Sequence, residues 1–160
     1  MRAYRIADRR VPIFDGTDAR LTGGRWNSPG RPVIYCAESF AGAMLEVLAH
    51  SNLGRVPKTH ALVEITIPET VTIETVALET VPGWDAEDQL ASRALGDQWL
   101  KERRTAVLRV PSLVTRGREH NLLLNPEHSA FQDITAAKPQ AVVWDERLFH
   151  RASDRGAFPQ

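Results

Sequence analysis

Val33-Ile34-Tyr35-Cys36-Ala37-Glu38-Ser39-Phe40-Ala41-Gly42-Ala43-Met44-Leu45-Glu46-Val47-Leu48-Ala49-His50 is the stretch that decides the fold. Its first four residues form a short apolar run, which predicts a buried strand. From Glu38 to His50 the pattern becomes helical, with Phe40, Met44, Val47 and Leu48 on one face. Upstream, residues 2–7 predict an opening strand. Residues 15–32 hold Gly16, Gly23, Gly24 and Gly30 together with Pro29 and Pro32, and predict a loop.

Downstream, residues 59–67 predict a strand ended by Pro68, and residues 71–76 a second with strict alternation. Asp85 to Arg104 is the longest helical pattern. Asp85 is its candidate N-cap, and Arg103 and Arg104 sit at its C-terminal end. Strands are expected at Thr105–Val110, at Asn121–Asn125 before Pro126, and at Ala141–Trp144. Strands outnumber helices without regular βαβ alternation. This predicts an α+β domain, with mixed sheets and flanking helices, rather than a doubly wound sheet.

The 160 residues suit one domain, residues 1–150, followed by a polar tail, residues 151–160, that frays from about His150. Twenty basic residues balance twenty acidic ones. Nothing in that charge favours nonspecific contact with DNA or an acidic membrane, while self-association and a bound partner stay open. Cys36 is the single cysteine, so no internal disulfide can form, which fits a reducing compartment. The N-terminus lacks the apolar stretch of a signal peptide, and no run approaches membrane-spanning length. The reading is a cytoplasmic protein without a membrane association.

Several chemistries lack their motifs. No Gly-x-Gly-x-x-Gly follows a strand, no Walker loop occurs, and no Gly-x-Ser-x-Gly elbow is found. The histidines His50, His60, His120, His128 and His150 give no metal-binding pair spacing, and no metal site is expected. The distinctive residues lie elsewhere. In Gly23-Gly24-Arg25-Trp26-Asn27 the glycines let backbone approach a ligand, and Arg25 offers a two-pronged fork to phosphate. The same segment also reads as a surface turn with a solvated arginine. Tyr35 interrupts an apolar strand, either to stack on a flat ring or donate a hydrogen bond, or as a core tyrosine with a satisfied hydroxyl. Glu46 sits nearly opposite the apolar face of its helix, among Gly42, Ala43, Ala49 and His50. It is either a solvent-facing carboxylate or one given room for a ligand by small neighbours. Ser112 follows a strand in Val110-Pro111-Ser112, as a turn residue or a substrate contact. Asn121 and Asn125 close loops or line a site.

Taken in order, these segments resemble the RES domain, named for its arginine, glutamate and serine. The likeness runs through Tyr4-Arg5-Ile6, Gly24-Arg25-Trp26-Asn27, Ile34-Tyr35, Leu45-Glu46, Val110-Pro111-Ser112 and Asn125-Pro126-Glu127-His128. It spans the chain to about residue 131. Each piece is short, and the specificity lies in their order and spacing.

The resemblance implies a fold similar to ADP-ribosylating toxins, whose split sheets hold NAD in a cleft. It places the naming residues on Arg25, Glu46 and Ser112, with Tyr35 as a fourth catalytic position. Arg5, Gly24, Asn27, Asn121 and Asn125 are the expected substrate-binding residues. It implies cleavage of NAD as substrate, by phosphorolysis with inorganic phosphate as co-substrate or by hydrolysis, with no tightly bound cofactor. It further implies growth arrest and neutralisation by an Xre-like helical, DNA-binding antitoxin that blocks the cleft, so that DNA is reached only through that partner. On this reading Arg25 binds the pyrophosphate or an incoming phosphate, and Glu46 stabilises the cationic ribose. Tyr35 stacks on or orients the nicotinamide ribose, and Ser112 bonds a ribose hydroxyl or the nicotinamide amide. The alternatives are an ADP-ribosyltransferase with a protein target, a non-catalytic partner-binding module, and a serine hydrolase using Ser112 with His120 or His128.

Overall fold

The structure is a computed structural model that describes residues 1–50 and 56–149. The expected fraying from His150 falls outside these residues. Its strands are β1 (Arg2–Asp8), β2 (Ile34–Ala37), β3 (His60–Thr66), β4 (Ile73–Thr75), β5 (Val107–Pro111), β6 (His120–Leu124), β7 (Thr135–Ala136) and β8 (Gln140–Ala141). Three α-helices join them: α1 (Thr17–Thr22), α2 (Phe40–His50) and α3 (Leu90–Glu102). The α+β expectation holds. The strands form a single curled sheet in the order β4-β5-β6-β2-β1-β3-β7, with β8 also on β3, so the sheets are not split. β2 makes the sheet continuous, pairing antiparallel with both β1 and β6. Among the described residues only β4 and β5 run parallel.

Strand alternation divides the core. Ala3, Ile34, Cys36, Ala61, Val63, Ile65, Leu122 and Leu124 bury one face of the sheet. On the opposite face there are two clusters. Leu108, Val110 and Leu123 pack beneath Trp26, Trp84 and Trp99. Ile6 and Ala37 pack beneath Ala43 and Val47 of α2. One half of this face is therefore covered by α3 with the Gly23–Ser28 loop, and the other half by α2.

Four expectations change. First, residues 15–32 contain α1, because Gly16 and Gly23 bracket a helical turn with positive φ instead of merely breaking the chain, and the Asp15 carboxylate accepts from Thr17 N at 2.9 Å. Second, α2 packs through Gly42, Ala43 and Val47, leaving Phe40 and Leu45 exposed. A Cβ on Gly42 would lie 3.0 Å from Ser39 Oγ and 3.1 Å from Glu119 Oε2, so a small residue suits this packed face, and Glu46 reaches Ser112 after β5 and Asn121 on β6. Third, α3 begins at Leu90, not after Asp85. The segment before it bends under Arg25, Gln89 takes φ +60°, and Asp88 instead accepts from Leu90 N. Fourth, Ala141–Trp144 is no buried strand. Only Ala141 pairs, Val143 is 90% exposed, and Trp144 turns in to stack edge-on against Phe149.

Among the described glycines, the one with least room for a side chain lies where α3 meets the glycine-rich loop. A Cβ built on Gly96 would stand 1.7 Å from the carbonyl oxygen of Trp26. Backbone cannot yield as a side-chain tip does, and overpacking of this kind costs about 1–3 kcal/mol or more. Gly96→Ala is expected to lower unfolding stability by at least about 2 kcal/mol in urea titration, although alanine is the better helix former.

Candidate active site

A cleft of about 880 Å³ opens between the two covered halves of the sheet face. Its walls include Gly24 and Arg25 from the loop, Tyr35 from β2, Glu46 from α2, and Gln89 and Arg93 at the start of α3. The two residues that the sequence singled out most strongly, Arg25 on the loop and Glu46 on α2, thus line one cavity. Small-molecule clefts span roughly 300–1,000 Å³, so an extended ligand fits.

The loop is built by backbone economy. Gly24 N donates to Asn27 O at 2.8 Å. The Tyr35 hydroxyl accepts from Trp26 N at 3.1 Å and donates to Asn27 Oδ1 at 2.7 Å. A Cβ on Gly24 would fall 2.5 Å from that hydroxyl, which is why glycine is needed there. Asn27 Nδ2 donates to Ala19 O and Ser28 O. Along α3, Arg93 Nε donates to Gly24 O, Ser92 Oγ to Arg25 O, and Ser28 N and Oγ to the Asp97 carboxylate. Arg25 Nη1 donates to Trp84 O at 3.1 Å and Ala86 O at 2.9 Å, and Trp84 stacks on Trp26. The guanidinium is held by carbonyls without a carboxylate partner among the described residues.

Glu46 is prepared differently. Its Oε1 accepts from Ser112 Oγ at 3.0 Å and from Asn121 Nδ2 at 2.7 Å. Among the described residues its Oε2 has His50 Nδ1 at 3.7 Å and no hydrogen-bond donor. One oxygen is therefore fixed and the other remains available to the cleft.

Each expected site residue now has a place. Gly24, Arg25, Tyr35, Glu46 and Asn121 line the cleft, as does Arg5. Arg5 is also a brace, donating through Nε to Ile13 O at 2.7 Å and through Nη1 to Tyr35 O at 2.9 Å. Ser112 is buried, and its proton goes to Glu46 rather than to a ligand, which corrects its expected role as a substrate contact. The Tyr35 hydroxyl is committed to the loop, leaving only the ring to meet a ligand, and burial raises its pKa. Asn27 is fully buried with its amide committed, and lies behind the cleft wall. Asn125 is a second correction: it is buried in a turn, accepts from Glu127 N at 3.0 Å, and does not reach the cleft.

The serine hydrolase alternative loses its geometry. Ser112 pairs with Glu46, His120 lies 3.6 Å from Glu38, and His128 caps the turn at Ala130. Cys36 is no substitute nucleophile, since burial pushes its thiol up to about 12. Gln89 and Arg93 are cleft residues that sequence reasoning missed. With about 100° per residue, Gln89, Arg93, Gly96 and Leu100 share one stripe of α3. A charge on an otherwise buried stripe was the available signal.

The architecture defines a class. It matches the toxin fold in the crystal structure of the Mycobacterium tuberculosis MbcT-MbcA toxin-antitoxin complex, with a TM-score of 0.69 and 21% identity over 87% of this chain and 82% of that one. The chain belongs to the RES domain family, whose pattern matches residues 2–145. It is 40% identical over 157 residues to the Prs ADP-ribosylating toxin of Sphingobium sp. (strain YBL2), covering 93% of this chain and 97% of that protein. It is also 40% identical over 141 residues to Toxin Res of Pseudomonas putida, covering 85% and 92% respectively. Among the described residues no helix is long and apolar enough to cross a membrane.

Tyr35→Phe tests how the loop is held. It strips the buried Asn27 Oδ1 and Trp26 N of their partner, and an unmatched buried polar group costs about 1–3 kcal/mol. Urea denaturation is expected to show a loss of that size. Unchanged stability would mean the hydroxyl does not tie the loop to β2.

Proposed function

We propose that this RES toxin depletes NAD by cleaving its nicotinamide–ribose bond, and that a cognate helical antitoxin silences it by covering the cleft. The observation that carries the reading is the convergence of Arg25 and Glu46 on one cleft, with Glu46 held by two donors on a single oxygen. The similar tuberculosis toxin is found in complex with an antitoxin, which supports such a partner here, and on this reading the partner would occupy the cleft mouth.

The chemistry follows from charge. The C1′–N bond of the nicotinamide ribose breaks with its electron pair leaving on the ring nitrogen, which becomes neutral. Positive charge develops on the ribose as in glycoside cleavage. The Oε2 of Glu46 faces that charge, while Ser112 and Asn121 on Oε1 prevent the carboxylate from rotating away. A fixed carboxylate at this position is worth about 3 kcal/mol to such a transition state. Arg25 holds the diphosphate or the incoming phosphate, and the Tyr35 ring packs against the ribose. Phosphate oxygen attacking C1′ gives ADP-ribose 1″-phosphate. Water attacking there gives ADP-ribose and releases a proton.

A second reading is transfer of ADP-ribose to a protein, favoured by the Sphingobium relative's name. The same residues would serve, with a protein nucleophile at C1′. Radiolabelled NAD in lysate separates the two, as a discrete labelled band or as free ADP-ribose and its phosphate.

Purified protein mixed with NAD is expected to release nicotinamide, faster with phosphate if phosphorolysis dominates. Glu46→Gln and Arg25→Ala are each expected to lower turnover at least about a hundredfold while the circular dichroism spectrum stays native. Absence of release with and without phosphate would remove NAD breakdown and leave the transfer reading.

A further inference from the structure

Arg25 is not the only cleft guanidinium without a counter-charge. Arg93 lies on the first turn of α3 and lines the same cavity. Its Nε donates to Gly24 O at 2.9 Å, which leaves both terminal nitrogens of the fork unbonded among the described residues. No carboxylate stands within ion-pair distance of Arg25 or Arg93 there. The acids that might have served are engaged elsewhere. Asp97, one turn along the same helix, accepts from Ser28 N at 2.8 Å and Ser28 Oγ at 2.6 Å. Asp18 lies 3.9 Å from Arg5.

A half-buried charge normally finds a partner, because desolvating it alone is unfavourable. Here two guanidiniums are each positioned by backbone carbonyls, which orient the forks without neutralising them. Gln89 adds an independent sign. It is a non-glycine residue at φ +60°, it lines the cleft one turn before Arg93, and its Oε1 is buried without a partner. An unmatched buried acceptor at the cleft wall calls for a partner, and a ligand in the cleft would supply one.

We propose that Arg93 and Arg25 form a two-armed clamp for the diphosphate of the dinucleotide, with the Gln89 amide beside it for a ribose hydroxyl. This rests on the reading of the cleft as a dinucleotide site, and it adds a residue from a second element. The clamp gives each phosphate its own planar fork. It also links α3 to the ligand, so the loop and the helix hold the substrate together.

The test uses ADP as the probe for the diphosphate and nicotinamide riboside as the control without phosphate, both titrated calorimetrically. Arg93→Gln is expected to weaken ADP binding at least about tenfold and to leave nicotinamide riboside within about twofold. Arg93→Lys, which keeps the charge and loses the fork, is expected to fall between. In turnover, Arg93→Gln should raise KM for NAD about tenfold with kcat within about threefold. Unchanged ADP affinity in either folded variant overturns the clamp, as do equal losses for both ligands. A wild-type protein that binds ADP through Arg93 but cleaves no NAD supports the clamp and sinks the catalytic reading. NAD cleavage with normal KM in Arg93→Gln sinks the clamp alone.

Discussion

The fold depends on laying an irregular loop flat along a helix. Residues 24–28 contact α3 through their own backbone: the carbonyls of Gly24 and Arg25 accept from Arg93 and Ser92, and that of Trp26 rests on Gly96. Ser28 closes the contact on Asp97. A glycine-rich segment has a large conformational entropy to lose, and these contacts fix it in one shape. The result is an arginine whose position is set by main-chain geometry instead of by an acidic partner. Its charge stays available to a ligand.

The sheet then acts as a ruler between the two halves of the site. Tyr35 on β2 ties down the loop, while Asn121 on β6, directly opposite Ala37 at the end of β2, grips Glu46. Ser112, just past β5, adds the second grip. Loop, helix α2 and three adjacent strands are thereby held in register by hydrogen bonds. Preorganisation of this kind is what a developing positive charge requires, since reorienting a carboxylate during reaction would forfeit much of its effect. Of the three letters in the family's name, arginine and glutamate face the cleft, and the serine works on the glutamate.

Much of this was legible in the sequence. The apolar run at Val33–Cys36, the alternation of residues 59–67 and the leucines after Asn121 gave their strands, because period-two burial is local information. The order of short motifs singled out Arg25, Tyr35, Glu46 and Ser112, and the structure gathers the first three around one cleft with Ser112 bonded to Glu46. Their division of labour was not legible. That Ser112 and Asn121 share Glu46 Oε1 depends on strand register and on how α2 rolls over Gly42, both long-range facts. Ala141–Trp144 misled for the same reason: its apolar residues serve different neighbours and not one sheet face. Asn125 was read as lining a site because a buried turn and a binding loop have the same composition. Arg93 escaped because a lone arginine in a helix reads as solvated until the stripe it shares with Gly96 is seen.

The central claim is that one cleft presents a fixed carboxylate to the nicotinamide ribose while arginine holds the diphosphate. A crystal structure of the Glu46→Gln variant with NAD bound tests it most directly. The account predicts the nicotinamide-side C1′ in contact with residue 46 and the diphosphate on Arg25. NAD bound elsewhere, or bound in the cleft with its nicotinamide ribose remote from residue 46, would contradict it.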